Sequence, residues 1–203
     1  MYNIIKRILD FILALILLII FIIPMMIAAI CIKIEDKGPV LFKQKRIGKD
    51  EKPFYIYKFR TMAEKRQDNM THEEMVTKVG KILRKTSIDE LPQLLNILKG
   101  EMSFIGPRPW IPEYYEWFTD EQKRRMDVLP GISGLAQVKG RNGISIFQKI
   151  EYDIEYVENI SFLLDLKIMC WTLLTVLSKS NTDISEEQIK EEIRQLKENK
   201  IGI

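Results

Sequence analysis

Two carboxylates stand side by side, Asp89 and Glu90, in the stretch Lys85-Thr-Ser-Ile-Asp-Glu-Leu-Pro-Gln-Leu-Leu-Asn96. His72 is the only histidine, and the two cysteines, Cys31 and Cys170, have no metal-like spacing. One histidine rules out a multi-histidine metal site within one chain, a histidine-based triad is not expected, and a carboxylate is the expected acid, base or nucleophile. The acids open an apolar run that includes Pro92, so they read as the first turn of a helix. One reading makes Ser87 and Glu90 a capping box, with Asp89 answering the positive end of the helix dipole. The other starts the helix nearer Asp89, because Pro92 would be the fifth residue of a helix capped by Ser87, where its missing N–H is felt. The second placement leaves Glu90 available for chemistry.

Cations that suit a phosphate recur around this pair. Alternation along the run Phe54-Tyr-Ile-Tyr-Lys-Phe59 and its continuation to Met62 points Lys58 and Arg60 to one face, either a phosphate site or a solvated edge strand. Arg108 lies between Pro107 and Pro109, which fix the backbone on both sides of one guanidinium, as an anion ligand or as a rigid turn. The stretch from Pro130 to Gly143 holds four glycines and Arg141. Glycines let backbone N–H groups approach a phosphate closely, although no Walker or dinucleotide spacing is present.

The elements that must position these groups begin with a membrane segment. No charge occurs from Phe11 to Ile32, a run of 22 residues. As one helix it reaches about 33 Å, enough to cross the bilayer hydrocarbon. Pro24 interrupts it, and Lys6, Arg7, Lys33 and Lys37 flank both ends, which pulls both ends toward the cytoplasm. A helix that enters, bends at Pro24 and returns satisfies both constraints, with Asp10 at interface depth near Lys6 and Arg7. The run Val40 to Ile47 pairs with Phe54 to Phe59 as a hairpin. A helix follows a Thr71/Glu74 capping box and runs toward Lys85. The Asp89 helix ends at Lys99-Gly100, and further helices are expected over Thr119–Met126, with a Thr119/Gln122 box, and over Ile150–Val157. Phe162–Leu177 is either a core helix or an interfacial one. Ser185–Lys200 is a charged helix with Ile189, Ile193 and Leu196 on one stripe, a docking or packing element.

The chain of 203 residues accommodates one domain and a membrane anchor. Its 31 basic and 28 acidic residues give a net charge of +3, a mixed surface that does not call for nucleic acid. The cysteine pattern suits a reducing, cytosol-facing location. The expected architecture is α+β and mainly α: a re-entrant membrane helix over residues 1–37, a catalytic domain over 38–180 with a small β-hairpin and interfacial amphipathic helices around a membrane-surface active site, and a charged helix or tail over 181–203.

The broken apolar segment, Lys58-Phe-Arg-Thr-Met62, Asp89-Glu-Leu-Pro-Gln93, Met102-Ser-Phe-Ile-Gly-Pro-Arg-Pro109, Pro130-Gly-Ile-Ser-Gly134, Gly140-Arg-Asn142 and Asp165-Leu-Lys-Ile168 resemble the bacterial sugar transferases. Within them the chain is most similar to the monotopic polyprenol-phosphate phosphoglycosyl transferases of the small PglC-like kind, in order from about Lys6 to Leu177. The resemblance implies transfer of a phospho-sugar from a UDP-sugar to a polyprenol phosphate such as undecaprenyl phosphate, at the cytoplasmic face of the bacterial inner membrane, as the first membrane step of glycoconjugate biosynthesis. It makes Asp89 the nucleophile that forms a covalent aspartyl-phosphosugar and releases UMP, and Glu90 the ligand of a magnesium ion. Arg84, Arg108 and Arg141 map to basic positions near the dyad, and Asp153 and Asp165 to polar positions near the site. Members often carry Ser before the helix-breaking proline, where this chain has Ile23. A membrane-anchored binding or scaffold protein, with arginines on lipid headgroups, is the competing class. Homo-oligomerisation through the helix after Ser185 is compatible with the sequence, and no position reads as a sugar-selecting pocket.

Overall fold

The computed structural model describes residues 2–64, 74–140, 143–177 and 191–197. Their described parts form two compact units, one drawn from residues 8–44 and 55–100 and the other from 1–7, 45–54 and 101–203.

The first helix, α1, runs from Tyr2 to Glu35 with Pro24 inside it. Its 34 residues reach about 51 Å, more than a hydrocarbon core is thick. Large apolar side chains, among them Ile4, Ile19, Ile23 and Ile34, remain exposed along it, and its most apolar window has a mean hydropathy of 3.2. Such a surface is stable only against lipid, so α1 makes the chain membrane-associated.

In the unit of residues 8–44 and 55–100, Ala28 and Ile32 of α1 pack with Phe59 and Leu83, and Val40, Val79 and Ile88 close around them. The helix α2, Lys78–Thr86, opens on Thr77, whose hydroxyl accepts from Gly80 N at 2.9 Å. The carboxylate of Glu35 accepts from the N–H groups of Lys78 and Val79 at 2.7 and 2.9 Å. Between them these acceptors satisfy donors that a helix start leaves orphaned. This start differs from the expected Thr71/Glu74 box: Thr71 lies outside the described residues, and the helix begins after Thr77 because that is where acceptors converge. Gly80 is required by contact, since a Cβ there would stand 2.1 Å from the Thr61 carbonyl oxygen.

The hairpin joins β1, Leu41–Ile47, to β2, Pro53–Phe59. Ser87 then adopts the left-handed conformation at φ 56° and closes α2 with its backbone N–H; its side chain caps nothing. This removes the Ser87/Glu90 capping box. Residues Ile88–Gln93 form a 3-10 turn containing Pro92, and α3 follows as Leu94–Lys99, ended by Gly100 at φ 84°. The acids thus precede the α-helix and do not occupy its first turn, because the tighter turn accommodates Pro92 ahead of the α-helical ladder.

In the other unit, β3, Ser103–Ile105, pairs in parallel with β4, Gly131–Ser133, in the register Ser103 to Gly131 and Ile105 to Ser133. The glycines of this region serve close strand packing. A Cβ on Gly131 would lie 2.2 Å from Gly106 N. Short helices follow, α4 at Pro112–Tyr115 and α5 at Asp120–Lys123, the latter with the expected Thr119/Gln122 box. After α6, Leu135–Gly140, the helix α7 covers Ile146–Glu158 and starts four residues before the expected Ile150, on a Ser145/Gln148 box. The helix α8, Phe162–Leu177, buries Asp165 and Ile168 while Phe162, Leu163, Leu166, Leu173 and Leu174 stay exposed. It is therefore a core helix on one face and keeps an uncovered apolar face on the other, as an interfacial helix does. Residues 191–197 are helical, and Leu196 enters a core with Phe118, Met126, Ile146 and Ile150.

Candidate active site

Lys58, Arg84, Asp89 and Glu90 belong to one unit, and the fold there brings them together. On β2, Lys58 Nζ donates to Glu90 Oε1 at 2.5 Å, with both side chains mostly covered. On α2, Arg84 Nε donates to Thr61 Oγ1 at 2.9 Å, a bond made possible by the close approach of α2 at Gly80. Burial pushes the Asp89 carboxyl above its ordinary range and the neighbouring Glu90 charge pushes it further; Lys58 and Arg84 draw it back. Asp89 is thus a carboxylate in a sparsely solvated place with cations on hand, which makes it more basic than a surface acid.

The turn that carries the dyad is fastened to β2 by Asn96, which is fully buried. Its Oδ1 accepts from Tyr57 N at 3.1 Å and its Nδ2 donates to Tyr55 O at 2.7 Å, so the amide extends the strand's hydrogen bonding to α3. Lys58 follows Tyr57 directly, so this fastening registers Lys58 against Glu90. The carboxamide of Gln93, also buried, keeps its Nε2 without a hydrogen-bond partner among the described residues.

Arg60 takes a different place from Lys58. It is buried, with Nε donating to Pro39 O at 2.6 Å, Nη2 to Asp36 O at 2.8 Å and Nη1 to the Asp36 carboxylate. Its guanidinium is engaged by the junction after α1. Alternation sets Arg60 on the face of Lys58, but Asp36 outcompetes solvent for it.

Arg108, Asp153 and Asp165 belong to the other unit. The Arg108 side chain is exposed. Asp153 is buried in an ion pair with Arg125. Asp165 Oδ2 accepts from Tyr2 OH at 2.5 Å and from Lys6 Nζ at 2.6 Å, and its Oδ1 accepts from Tyr156 OH at 2.7 Å. Asp165 thereby holds the start of α1. Arg141 lies outside the described residues. Sequence reasoning missed Thr61, Asn96 and Arg125; a Thr within Lys58-Phe-Arg-Thr-Met62 was in view, whereas the other two carry no local signal.

Among the described residues no group of three acids, histidines or cysteines is placed to hold a metal ion. Glu90, the carboxylate expected to meet a magnesium ion, is engaged at Oε1 by Lys58; magnesium is commonly held by one or two carboxylates with most of its oxygens from phosphate and water.

A membrane helix and a carboxylate pair flanked by cations define a membrane-associated enzyme that handles anionic groups. The chain belongs to the bacterial sugar transferase family, whose model matches residues 1–179. It is a transferase, which sets aside the scaffold reading. It is 47% identical over 177 residues to the uncharacterized sugar transferase EpsL of Bacillus subtilis, covering 86% of this chain and 88% of that one. It is 42% identical over 190 residues to the UDP-glucose:undecaprenyl-phosphate glucose-1-phosphate transferase of Caulobacter vibrioides, covering 87% and 71%. It is 41% identical over 188 residues to the UDP-N-acetylgalactosamine-undecaprenyl-phosphate N-acetylgalactosaminephosphotransferase of Aeromonas hydrophila, covering 87% of this chain and 44% of that longer protein.

Proposed function

We propose that this chain transfers a sugar phosphate from a UDP-sugar to a polyprenol phosphate such as undecaprenyl phosphate, at the cytoplasmic face of the bacterial inner membrane. The observation that carries the reading is the Asp89 carboxylate, made basic by burial and by Glu90 and flanked by Lys58 and Arg84. An Asp89 oxygen attacks the sugar-bearing phosphorus of the donor. The bond from that phosphorus to the bridging oxygen breaks, and UMP leaves with the electron pair. The phospho-sugar is then an acyl phosphate on Asp89, and a phosphate oxygen of the polyprenol phosphate attacks the same phosphorus to restore the carboxylate. Lys58 and Arg84 would offset phosphate charge as it builds and shifts, the largest task in phosphoryl transfer, and Arg108, held between two prolines in its own unit, is proposed as a phosphate ligand on the strength of its sequence setting. Glu90 would hold magnesium, which when bound supplies further neutralisation of the phosphates.

Both ends of α1 are held by polar chemistry within their own units, Tyr2 and Lys6 at Asp165 and Glu35 at the start of α2. The cations that flank both ends of α1, Lys6, Arg7, Lys33 and Lys37, support a re-entrant course with both ends in the cytoplasm, for which Pro24 would supply the bend. The activity is tested by incubating the chain with undecaprenyl phosphate and, in turn, UDP-glucose, UDP-galactose and UDP-N-acetylgalactosamine. One donor is expected to release UMP with equimolar lipid product. Tight donor binding without UMP release from any of a broad donor set would overturn the reading.

A further inference from the structure

Four consecutive backbone carbonyls, those of Pro107, Arg108, Pro109 and Trp110, all accept hydrogen bonds from elsewhere in their unit. Gly131 N donates to Pro107 O at 3.0 Å and Ile47 N to Trp110 O at 3.0 Å. The two in the middle are held by arginine side chains: Arg125 Nη2 donates to Arg108 O at 2.7 Å, and Arg46 Nη1 to Pro109 O at 3.1 Å. Pro107 and Pro109 have no N–H to give, so carbonyls are the handles by which this segment is fixed.

Arg125 stands in the charged run Glu121-Gln-Lys-Arg-Arg-Met126, yet its side chain is 2% exposed. Its Nε and Nη2 both reach Asp153 Oδ2, the first at 3.0 Å. The Trp110 and Phe118 rings lie 5.3 and 5.9 Å from the guanidinium. Asp153 is equally buried, and its Oδ1 has no hydrogen-bond partner among the described residues. A buried ion pair with an unsatisfied oxygen is a poor source of stability, since an apolar pair of similar volume often serves as well or better. An apolar pair, however, cannot donate to a carbonyl.

We propose that Arg125, oriented by Asp153, and Arg46 are positioning residues that fix the Pro107–Trp110 backbone so that the Arg108 guanidinium meets a substrate phosphate in one place. The inference rests on the reading of Arg108 as a phosphate ligand. Without the two arginine donors the prolines still restrict local rotation, but the segment is held only at its ends.

The test is kinetic and uses the full chain in detergent with undecaprenyl phosphate and whichever of the three UDP-sugars supports UMP release. The double variant Arg125→Met/Asp153→Leu removes the carbonyl bond and the buried charges together, and Arg46→Met removes the second bond from a half-buried position. Each is examined with and without Arg108→Ala, alongside thermal unfolding. Either is expected to raise KM for the UDP-sugar, by about ten- to a hundredfold for the double variant, and less for Arg46→Met. In the Arg108→Ala background neither should cause a further loss, because the group they position is gone. If the double variant fails to fold, Arg46→Met decides. A folded variant with parent kinetics, or one whose loss adds fully to that of Arg108→Ala, overturns the positioning role. Parent kinetics in Arg108→Ala itself would instead remove the reading of Arg108, an outcome separate from the other two.

Discussion

Lys58 Nζ lies 2.5 Å from Glu90 Oε1, so the lysine of the Lys58-Phe-Arg-Thr-Met62 stretch is held beside the proposed nucleophile by the neighbouring acid. Its charge also favours ionised Asp89. Lys58→Met should therefore lower kcat/KM about ten- to a hundredfold. It should also move the acidic limb of the pH profile to higher pH, since the loss of a nearby cation raises the Asp89 pKa further. An unchanged limb in a pH series of UMP release would show that Lys58 does not act on Asp89.

The raised pKa of Asp89 carries a sign for stability as well. A carboxyl that titrates higher in the folded state than in the unfolded one binds more protons when folded, so between the two pKa values stability falls as pH rises. Above both, the ionised form remains a cost. Asp89→Asn removes it, so thermal unfolding in the presence of a chelator should rise relative to the parent at pH 7, with the gain vanishing below the ordinary carboxylate range. A gain that is equal at both pH values would contradict the assignment.

Asn96 and Gly80 hold the elements that carry the dyad and Arg84. Asn96→Leu leaves two backbone groups of β2 without their partners and should destabilise by about 2 kcal/mol or more. Gly80→Ala places a methyl against the Thr61 carbonyl, 2.1 Å away before relaxation, and should cost about 1–3 kcal/mol. Denaturant titration of each variant measures these losses, and the Gly80 variant should also lose activity through the Arg84 to Thr61 bond.

Leu196 lies beyond the residues the family model matches, yet it is 1% exposed in a core with Phe118 and Ile150. Glu192 accepts from Ile146 N at 2.7 Å, at the start of α7. Leu196→Ala should cost about 2–5 kcal/mol, close to a core leucine. Thermal unfolding within a degree of the parent would mean that this helix contributes nothing to the fold.

The elements that carry the candidate site were largely legible because their signals are local. Adjacent acids before Leu91-Pro92, a basic residue at an alternating strand position and a capping box at Thr119 need only neighbouring residues to be read, and α8 keeps its expected bounds. What escaped depends on partners far along the chain. Arg60 is claimed by Asp36, 24 residues away, and Arg125 by Asp153, 28 residues away. The run Gly131–Ser133 is too short for periodicity and becomes a strand only by pairing with β3. The left-handed Ser87, which closes α2 and leads Asp89 and Glu90 into a 3-10 turn, carries no pattern that neighbouring residues reveal.

If Asp89 itself carries the phospho-sugar between two half-reactions, mass spectrometry of the chain incubated with its UDP-sugar and no polyprenol phosphate will find it there. The peptide containing Asp89 should gain the mass of the sugar phosphate with one equivalent of UMP released, and the gain should disappear in Asp89→Asn and on addition of undecaprenyl phosphate. UMP release that occurs only when the lipid is present, with no adduct on that peptide, would contradict it.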